Sequence, residues 1–196
     1  MGFRHFIGVV VVAVLMVGCS SPPPPIQVLP DLRFTDKPPF SLDVARIEVV
    51  SAYKAPFKEP NIEHLMPVPP ERAAMNWAND RLKAVGRANT ARFIVRDASV
   101  VEKSLKVDEG VSGLFKKEQS ERYEGRLEVV LEIRDEHGRV VGEASASAWR
   151  SRTVPEDITI AQREKMWYEL TQALAGDMNT LLETNMRQYI ARFLVL

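Results

Sequence analysis

The longest regular pattern in the chain is an alternation of apolar or small residues with polar ones over positions 123–134. Successive side chains of a β-strand point to opposite faces of a sheet, so this pattern predicts a strand with one buried face. A turn containing Gly138 follows, and positions 139–152 then alternate small with polar residues. Glycine suits the left-handed position of a tight turn, so the two runs predict a long antiparallel hairpin. The hairpin commits the chain to a fold built on a sheet.

Two more strands and two helices are predicted around this hairpin. Positions 43–51 alternate like a half-buried strand, and positions 92–101 predict a second strand that bends near Asp97. A first helix is predicted over positions 69–85, because proline is favoured in a first turn and a glycine follows the last one. A second helix is predicted over positions 159–192, where apolar residues recur at helical spacing.

The order strand, helix, strand, strand, strand, helix predicts an α+β fold. The first two strands flank a helix, so we expect them to be parallel neighbours joined by a right-handed crossover. The hairpin then adds antiparallel strands. The result is a mixed four-stranded sheet with two helices on one face and a more polar opposite face.

The second helix has the clearest boundaries and the clearest buried stripe. Thr159 and Gln162 have the spacing of a capping box at its start. Leu174 lies in the middle of the apolar stripe and is predicted to be in the core, whereas Glu183 is expected on the solvent side. At about 1.5 Å per residue the helix would be about 45–50 Å long, longer than the sheet it covers. We therefore expect its last turns to pack on the N-terminal segment or to meet a partner.

The chain begins with one positive charge, Arg4, followed by an apolar run over positions 6–17, a small residue and Cys19. A helix of this length would cover only about 18 Å of a roughly 30 Å hydrocarbon core, so the run is too short to span a membrane. It has the charged start, apolar middle and small-residue end of a secretory signal. Residues 15–19, Leu-Met-Val-Gly-Cys, resemble the lipobox of bacterial lipoproteins, with Met16 where leucine is usual.

The lipobox resemblance implies a signal peptide over residues 1–18 and a lipid on Cys19, which becomes the first residue of the mature chain. It implies a membrane-anchored protein of the cell envelope that faces the periplasm. Two serines follow the cysteine. In enterobacteria an aspartate at the first of these positions favours the inner membrane, so the resemblance implies the outer membrane. The alternative is an ordinary signal peptide with an incidental cysteine. Cys19 is the only cysteine, so an internal disulfide and a cysteine-based metal cluster are excluded.

Prolines define the next segment. Residues 19–43 hold the cysteine and seven of the 13 prolines, a composition that favours an extended tether. A single α+β periplasmic domain is predicted over residues 44–196. Because prolines pack well on aromatic rings, we expect residues 26–40 to cross the polar face of the sheet and to cover Trp149.

The charge of the chain is balanced. It has 26 basic and 26 acidic residues, and removal of residues 1–18 takes away only Arg4. A chain without a basic excess does not attract a phosphate backbone. Nucleic acid is therefore not an expected partner.

Residues suited to catalysis or metal binding are few. The three histidines are His5, His64 and His137, and His5 lies in the predicted signal peptide. A zinc site usually needs three or four ligands, whereas the lipidated mature chain would keep two histidines and no free thiol. Residues 110–113, Gly-Val-Ser-Gly, lack the Gly-x-Ser-x-Gly spacing of a hydrolase nucleophile. The sequence predicts a protein that is not an enzyme and has no cofactor, with an unrecognised hydrolase as an alternative.

Five aromatic or apolar residues are candidate partner contacts. Leu114 and Phe115 lie beside two lysines in a polar, glycine-containing stretch, where they could touch a lipid surface or a partner. A loop whose two apolar residues tuck against the sheet is the alternative. Trp149 is in register with the polar side of its strand, and Tyr189 and Phe193 lie in the last turns of the second helix.

Two wider resemblances concern the folded part. Its order of elements is similar to that of periplasmic assembly lipoproteins such as the lipopolysaccharide-assembly lipoprotein that plugs an outer-membrane barrel. The C-terminal half, including Arg-Tyr-Glu-Gly-Arg-Leu-Glu over residues 122–128, resembles an uncharacterised group of proteobacterial lipoproteins without known activity. These resemblances imply a non-catalytic binding or assembly factor for another envelope component. The alternative is a carrier for a lipid or small amphiphile, which requires an apolar cavity of roughly several hundred Å³ under the second helix.

Overall fold

The structure of the protein, a computed structural model, describes residues 29–105 and 119–195. The predictions for Cys19, Leu114 and Phe115 lie outside the described residues. Ten elements follow in chain order: β1 (Phe40–Leu42), β2 (Arg46–Ser51), α1 (Pro70–Arg81), β3 (Leu82–Ala84), β4 (Thr90–Asp97), β5 (Val100–Ser104), β6 (Gln119–Arg134), β7 (Val140–Pro155), α2 (Ile160–Tyr189) and β8 (Leu194–Val195). Neither described helix is long and apolar enough to cross a membrane.

The main sheet is organised around β6. On one side β6 pairs with β7 along nearly its whole length, and Gly138 takes the left-handed conformation in the turn between them, with a φ of 78°. On its other side β6 pairs with β4 and then with β5, and the register shifts between Val95 and Asp97. The predicted bend near Asp97 is thus confirmed as a break between two strands. Parallel pairing of β2 with β4 completes a mixed five-stranded sheet, and the predicted α+β class is confirmed. The predicted number of four strands is wrong, because the stretch over positions 92–101 forms two strands, β4 and β5.

The core lies between one face of this sheet and the two helices. Alternate residues of β6, including Leu127 and Leu131, are fully buried against α2 residues such as Leu174 and Met178. A Cβ built on Gly125 would lie 2.6 Å from Leu174 Cδ1, so the helix is already in contact with the strand there. The small residues of β7 have the same effect, because they let the backbone of α2 approach the sheet closely.

The start of α2 is defined by a capping box in its sequence. Thr159 Oγ1 accepts a hydrogen bond from Gln162 N at 3.3 Å, and Thr159 N donates to Gln162 Oε1 at 3.0 Å. The predicted capping box is therefore confirmed. The helix ends at Tyr189, three residues before the predicted end, and a short 3-10 helix over Ala191–Phe193 leads into β8.

A second, three-stranded sheet was not predicted. In it β1 lies between β3, which is parallel to it, and β8, which is antiparallel. Here the prediction of a first helix up to position 85 is wrong, because α1 ends at Arg81 and Leu82 pairs with Phe40. Tertiary pairing thus overrides the helical pattern of this short stretch. A Cβ on Gly86 would lie 2.2 Å from Asp43 Oδ1, so only glycine fits where the chain leaves β3.

The segment before β1 packs on the helices rather than on the sheet. Leu32 is buried with Val68, Ala73 and Ala175, which belong to the loop before α1 and to the two helices. The expectation that residues 26–40 cover the polar sheet face is therefore wrong for residues 29–40, the part that the structure describes. The reason is that this segment carries its own apolar side chains, which find a groove between two helices.

Polar contacts hold the same segment in place. Arg33 Nε donates to Asp80 Oδ2 at 2.8 Å, and Phe34 N donates to the same oxygen at 2.9 Å. The hydrogen bond from Arg33 lowers the pKa of the Asp80 carboxyl below its ordinary value of 3.8. Arg81 Nε donates to Pro38 O at 3.1 Å, which ties the end of the segment to α1.

Arg81 is a buried charge, only 2% exposed, at the junction of this segment with both helices. Its Nη1 donates to Asn179 Oδ1 at 2.9 Å and to Glu183 Oε1 at 2.8 Å, and Trp77 Nε1 donates to Asn179 Oδ1 at 2.7 Å. The prediction that Glu183 lies on the solvent side is wrong, because its carboxylate neutralises this buried guanidinium. Burial of an unpaired charge is costly, and Glu183 removes that cost.

Candidate functional site

The face of the main sheet that points away from the helices is called the open face below. It is formed by alternate residues of four strands: Glu48, Val50, Arg92, Ile94, Arg96, Arg126, Glu128, Val130, Glu132, Glu143, Ser145, Ser147 and Trp149. Both helices and residues 29–40 lie on the opposite side of the sheet. The open face therefore remains as a broad surface of mixed character, consistent with the predicted polar face.

An apolar row crosses the middle of the open face. Val50 pairs with Ile94, Ile94 with Val130, and Val130 with Ser145, so the four residues stand side by side on neighbouring strands. Val50, Ile94, Arg92 and Arg96 line a shallow depression of about 610 Å³ at one end of this row. The apolar row was not predicted from the sequence. A signal for it is present, because each apolar member occupies a position that alternation assigns to the polar side of its strand.

Charged residues border the row. Glu132, 6% exposed, accepts hydrogen bonds from Arg134 Nε at 2.8 Å and Nη2 at 2.6 Å, and its other oxygen lies 3.7 Å from Arg96 Nη2. Arg92 pairs in register with Glu132, yet its Nε is buried without a hydrogen-bond partner among the described residues. At the border of the row, Glu132 is therefore paired with arginines, whereas the Nε–H of Arg92 beside the depression has no hydrogen-bond acceptor among the described residues.

Trp149 is the largest apolar side chain on the open face. It is 54% exposed and lies opposite Arg126 on β6. The next residue, Arg150, points to the helix side and bonds to Asp177 of α2 at 2.6 and 2.8 Å, which raises the pKa of its guanidinium. Trp149 therefore points away from α2, and β7 holds its ring in a fixed place at the surface.

Of the other predicted contact residues, the structure describes Tyr189 and Phe193, and neither is brought to Trp149. Phe193 packs on Gly142 of β7, where a Cβ would lie 2.9 Å from its ring. Gly142 is seven residues from Trp149 along the same strand, a distance of about 23 Å. Tyr189 is exposed at the end of α2. Phe193 is thus partly buried against the core, and Trp149, Tyr189 and Phe193 lie on different parts of the described surface.

The two histidines of the described region are far apart in the fold. His64 lies in the loop before α1 with its ring 5.4 Å from that of Phe57, and its Nδ1 is buried without a partner. His137 lies in the hairpin turn, where Asp135 accepts hydrogen bonds from His137 N and from Arg139. Arg139 lowers the pKa of Asp135. Within residues 29–105 and 119–195 no group of three His, Cys, Asp or Glu residues could hold a metal ion.

Comparison with known proteins gives a partial likeness of fold. No protein-family model matches the chain, and no curated protein matches its sequence. The rare lipoprotein B from Shewanella oneidensis is 13% identical, with 71% of this chain and 92% of that chain covered and a TM-score of 0.37. A minor lipoprotein from Acinetobacter baumannii is 14% identical, with 78% and 96% covered and a TM-score of 0.35. At such identities and TM-scores, function has to be argued from the residues of this chain.

Proposed function

We propose that this protein is a lipid-anchored lipoprotein of the cell envelope that binds another envelope protein through its open face and performs no catalysis. The observation that carries the proposal is the half-exposed Trp149 on a sheet whose other face is fully packed. A large exposed aromatic contributes little to the stability of a monomer, whereas tryptophan and arginine are enriched among the residues that dominate binding energy.

The composition of the open face indicates a protein partner. Its centre is an apolar row in which Val50 and Ile94 are partly exposed and Val130 is buried, and its border carries both signs of charge. Stable protein interfaces combine such an apolar centre with a polar rim. Strong charge of one sign, which would favour nucleic acid or an anionic polymer, is lacking in the balanced sequence.

The anchor is proposed from the lipobox-like sequence that ends at Cys19. Each buried methylene contributes about 0.8 kcal/mol, so two or three acyl chains would hold the protein on a membrane almost permanently. We place the anchored domain on the periplasmic side of the outer membrane. Replacement of Cys19 by serine removes the acyl acceptor, so Cys19→Ser should yield unprocessed or soluble protein on fractionation. Membrane retention of a processed Cys19→Ser protein would contradict the anchor.

The carrier of a small amphiphile is the weaker alternative. It needs space between α2 and the sheet, yet five α2 residues facing the sheet are fully buried there: Leu170, Leu174, Met178, Leu182 and Met186. At Gly125 even an added methyl group would collide with Leu174. Close packing of this kind counts against a ligand cavity at the predicted place.

Site-specific photo-crosslinking in intact cells tests the proposal. A photoreactive residue at Ser147 points out of the open face beside Trp149, whereas one at Gln172 is exposed on α2. We expect one discrete protein adduct from position 147 and a much weaker one from position 172. Equal adducts from both positions, or none from position 147, would contradict binding through the open face.

A further inference from the structure

The end of the domain at which the N-terminal segment leaves it can be located from its contacts. Asp31 contacts Arg72 near the start of α1, with Oδ1 and Nε 3.0 Å apart, whereas Phe40 pairs with Leu82 directly after α1. Residues 31–40 therefore run beside α1 in the same direction. Leu29 consequently lies at the end of the domain where α1 begins, and the chain that leads back to Cys19 leaves from this end.

A loop with two exposed apolar side chains lies at the same end. Residues 52–69 connect β2 to α1, and within them Phe57 is 73% exposed and Leu65 is 58% exposed. Phe57 has a φ of 55°, a left-handed conformation that bulky residues rarely adopt. Phe57 is thus exposed at a position of unusual backbone conformation, and Leu65 ends a short 3-10 helix over Glu63–Leu65.

The loop is held firmly by the neighbouring strand. Glu102 N donates to Pro60 O at 2.9 Å, and Ile62 N donates to Val100 O at 2.9 Å, so the loop pairs with the edge of β5. Glu63 turns inward and accepts a hydrogen bond from the Tyr53 hydroxyl at 2.6 Å. Burial, and then this hydrogen bond, raise the pKa of the Tyr53 phenol. The loop therefore presents its apolar side chains on a fixed base.

The charged side chains that flank Phe57 are lysines. Within residues 52–69 the exposed charges are Lys54 and Lys58, on either side of Phe57, and Glu59, because Glu63 is buried. Glu102 of β5 lines the same depression as Leu65, so the lysines lie beside Phe57 and the acidic side chains nearer to Leu65. Aromatic and leucine side chains beside lysines suit the boundary between headgroups and acyl chains, where the lysines meet lipid phosphates.

The length of the intervening chain brings this loop within reach of the membrane. Residues 20–28 separate the proposed lipidated cysteine from Leu29, and an extended chain of this proline-rich composition spans only about 31 Å from Cys19 to Leu29. The end of the domain that carries Phe57 and Leu65 is therefore the end held near the bilayer surface.

We propose that the loop of residues 52–69 forms a second, non-covalent contact with the membrane, with Phe57 and Leu65 inserted at the headgroup level. The inference rests on the anchor at Cys19 that belongs to the proposed function. It fixes the orientation of the domain on the membrane, with the hairpin turn at His137 pointing away and the open face along the side.

Depth-dependent fluorescence quenching in vesicles tests this contact. The full lipidated chain is reconstituted into vesicles of phosphatidylethanolamine and phosphatidylglycerol that contain nitroxide-labelled lipid. Cys19 is the only cysteine, so Phe57→Cys, Leu65→Cys and His137→Cys each carry one free thiol for an environment-sensitive fluorophore. Leu65→Cys repeats the measurement at a position with ordinary backbone geometry, in case the Phe57 variant fails to fold.

The expected result is a blue-shifted emission and loss of most fluorescence at positions 57 and 65, with little change at position 137. Vesicle flotation of the same samples reports on the anchor separately. Protein that floats with the vesicles but shows no quenching at positions 57 and 65, or equal quenching at 137, would overturn the second contact and leave the anchor intact. Protein that does not float would overturn both.

Discussion

The two faces of the main sheet differ although they are built from the same strands. On the helix side β7 presents Ala144, Ala146 and Ala148, all buried, and α2 lies directly on them. On the open face the intervening residues are polar except Trp149. A strand can thus carry a packing surface and a binding surface at once, because its side chains alternate.

Side chains from the helix side of the sheet also reach the free edge of β7. Asn185 Nδ2 donates to Ser145 O at 2.7 Å, and Arg192 donates to Val141 O, so side chains from the helix side occupy carbonyls at the free edge. An uncapped edge strand invites pairing with other chains. These two contacts leave fewer free carbonyls on this edge for pairing with another chain.

The largest expected effect is loss of packing on the covered face. Leu174→Ala removes a fully buried side chain and should lower the free energy of unfolding by about 2–5 kcal/mol. Gln172→Ala, at an exposed position of the same helix, should change it by less than about 0.5 kcal/mol. Urea denaturation followed by circular dichroism measures both. Similar losses in the two variants would mean that the buried face of α2 is assigned wrongly.

Substitution of two glycines by alanine compares the side of α2 that faces the sheet with its outer side. Gly125→Ala places a methyl group 2.6 Å from Leu174 Cδ1 and should cost about 1–3 kcal/mol through overpacking. Gly176 in α2 has no atom within 4 Å of an added Cβ, so Gly176→Ala should stabilise the protein by up to about 1 kcal/mol. Melting temperatures should move in opposite directions. A destabilising Gly176→Ala would show that the outer side of α2 is covered.

Acid should weaken the docking of the N-terminal segment on the helix side. The pKa of Asp80 lies below 3.8 in the folded protein because Arg33 bonds to its carboxylate. Its contribution to stability is complete above pH 3.8 and is lost as the pH falls through the folded value. Asp80→Asn should therefore be less stable than the parent at pH 6 and closer to it at pH 3. An unchanged difference across this range, measured by urea denaturation, would remove Asp80 from the docking contact.

The smallest effect on stability is expected on the open face. Trp149→Ala removes the largest side chain there, yet that side chain is half exposed and should contribute less than about 0.5 kcal/mol to folding. Thermal unfolding measures this change. A loss as large as that of Leu174→Ala would show that Trp149 is a core residue.

The sequence correctly predicted those elements whose polar and apolar residues alternate in step with their burial in the structure. The hairpin, the capping box at Thr159 and the orientation of Trp149 follow from local patterns, because alternation and capping depend on near neighbours. The end of α1 at Arg81 and the small sheet around β1 depend on pairing between distant segments.

Two features of the surface could not be predicted from the sequence, because both depend on contacts between residues far apart in the chain. The route of residues 29–40 over the helices depends on where Arg33 meets Asp80, a contact between positions far apart in the chain. The apolar row of Val50, Ile94 and Val130 exists only once the strand register is known. Each residue alone is an ordinary strand residue, and only their alignment makes a candidate binding surface.

The most direct test of binding through the open face combines crosslinking with removal of its aromatic ring. The adduct formed in cells from a photoreactive residue at Ser147 should be lost in a Trp149→Ala background, while the amount and membrane fraction of the protein stay unchanged. Trp149→Phe, which keeps an aromatic ring, should retain part of it. An adduct of full intensity in the Trp149→Ala background would contradict the proposal that the open face is the binding surface.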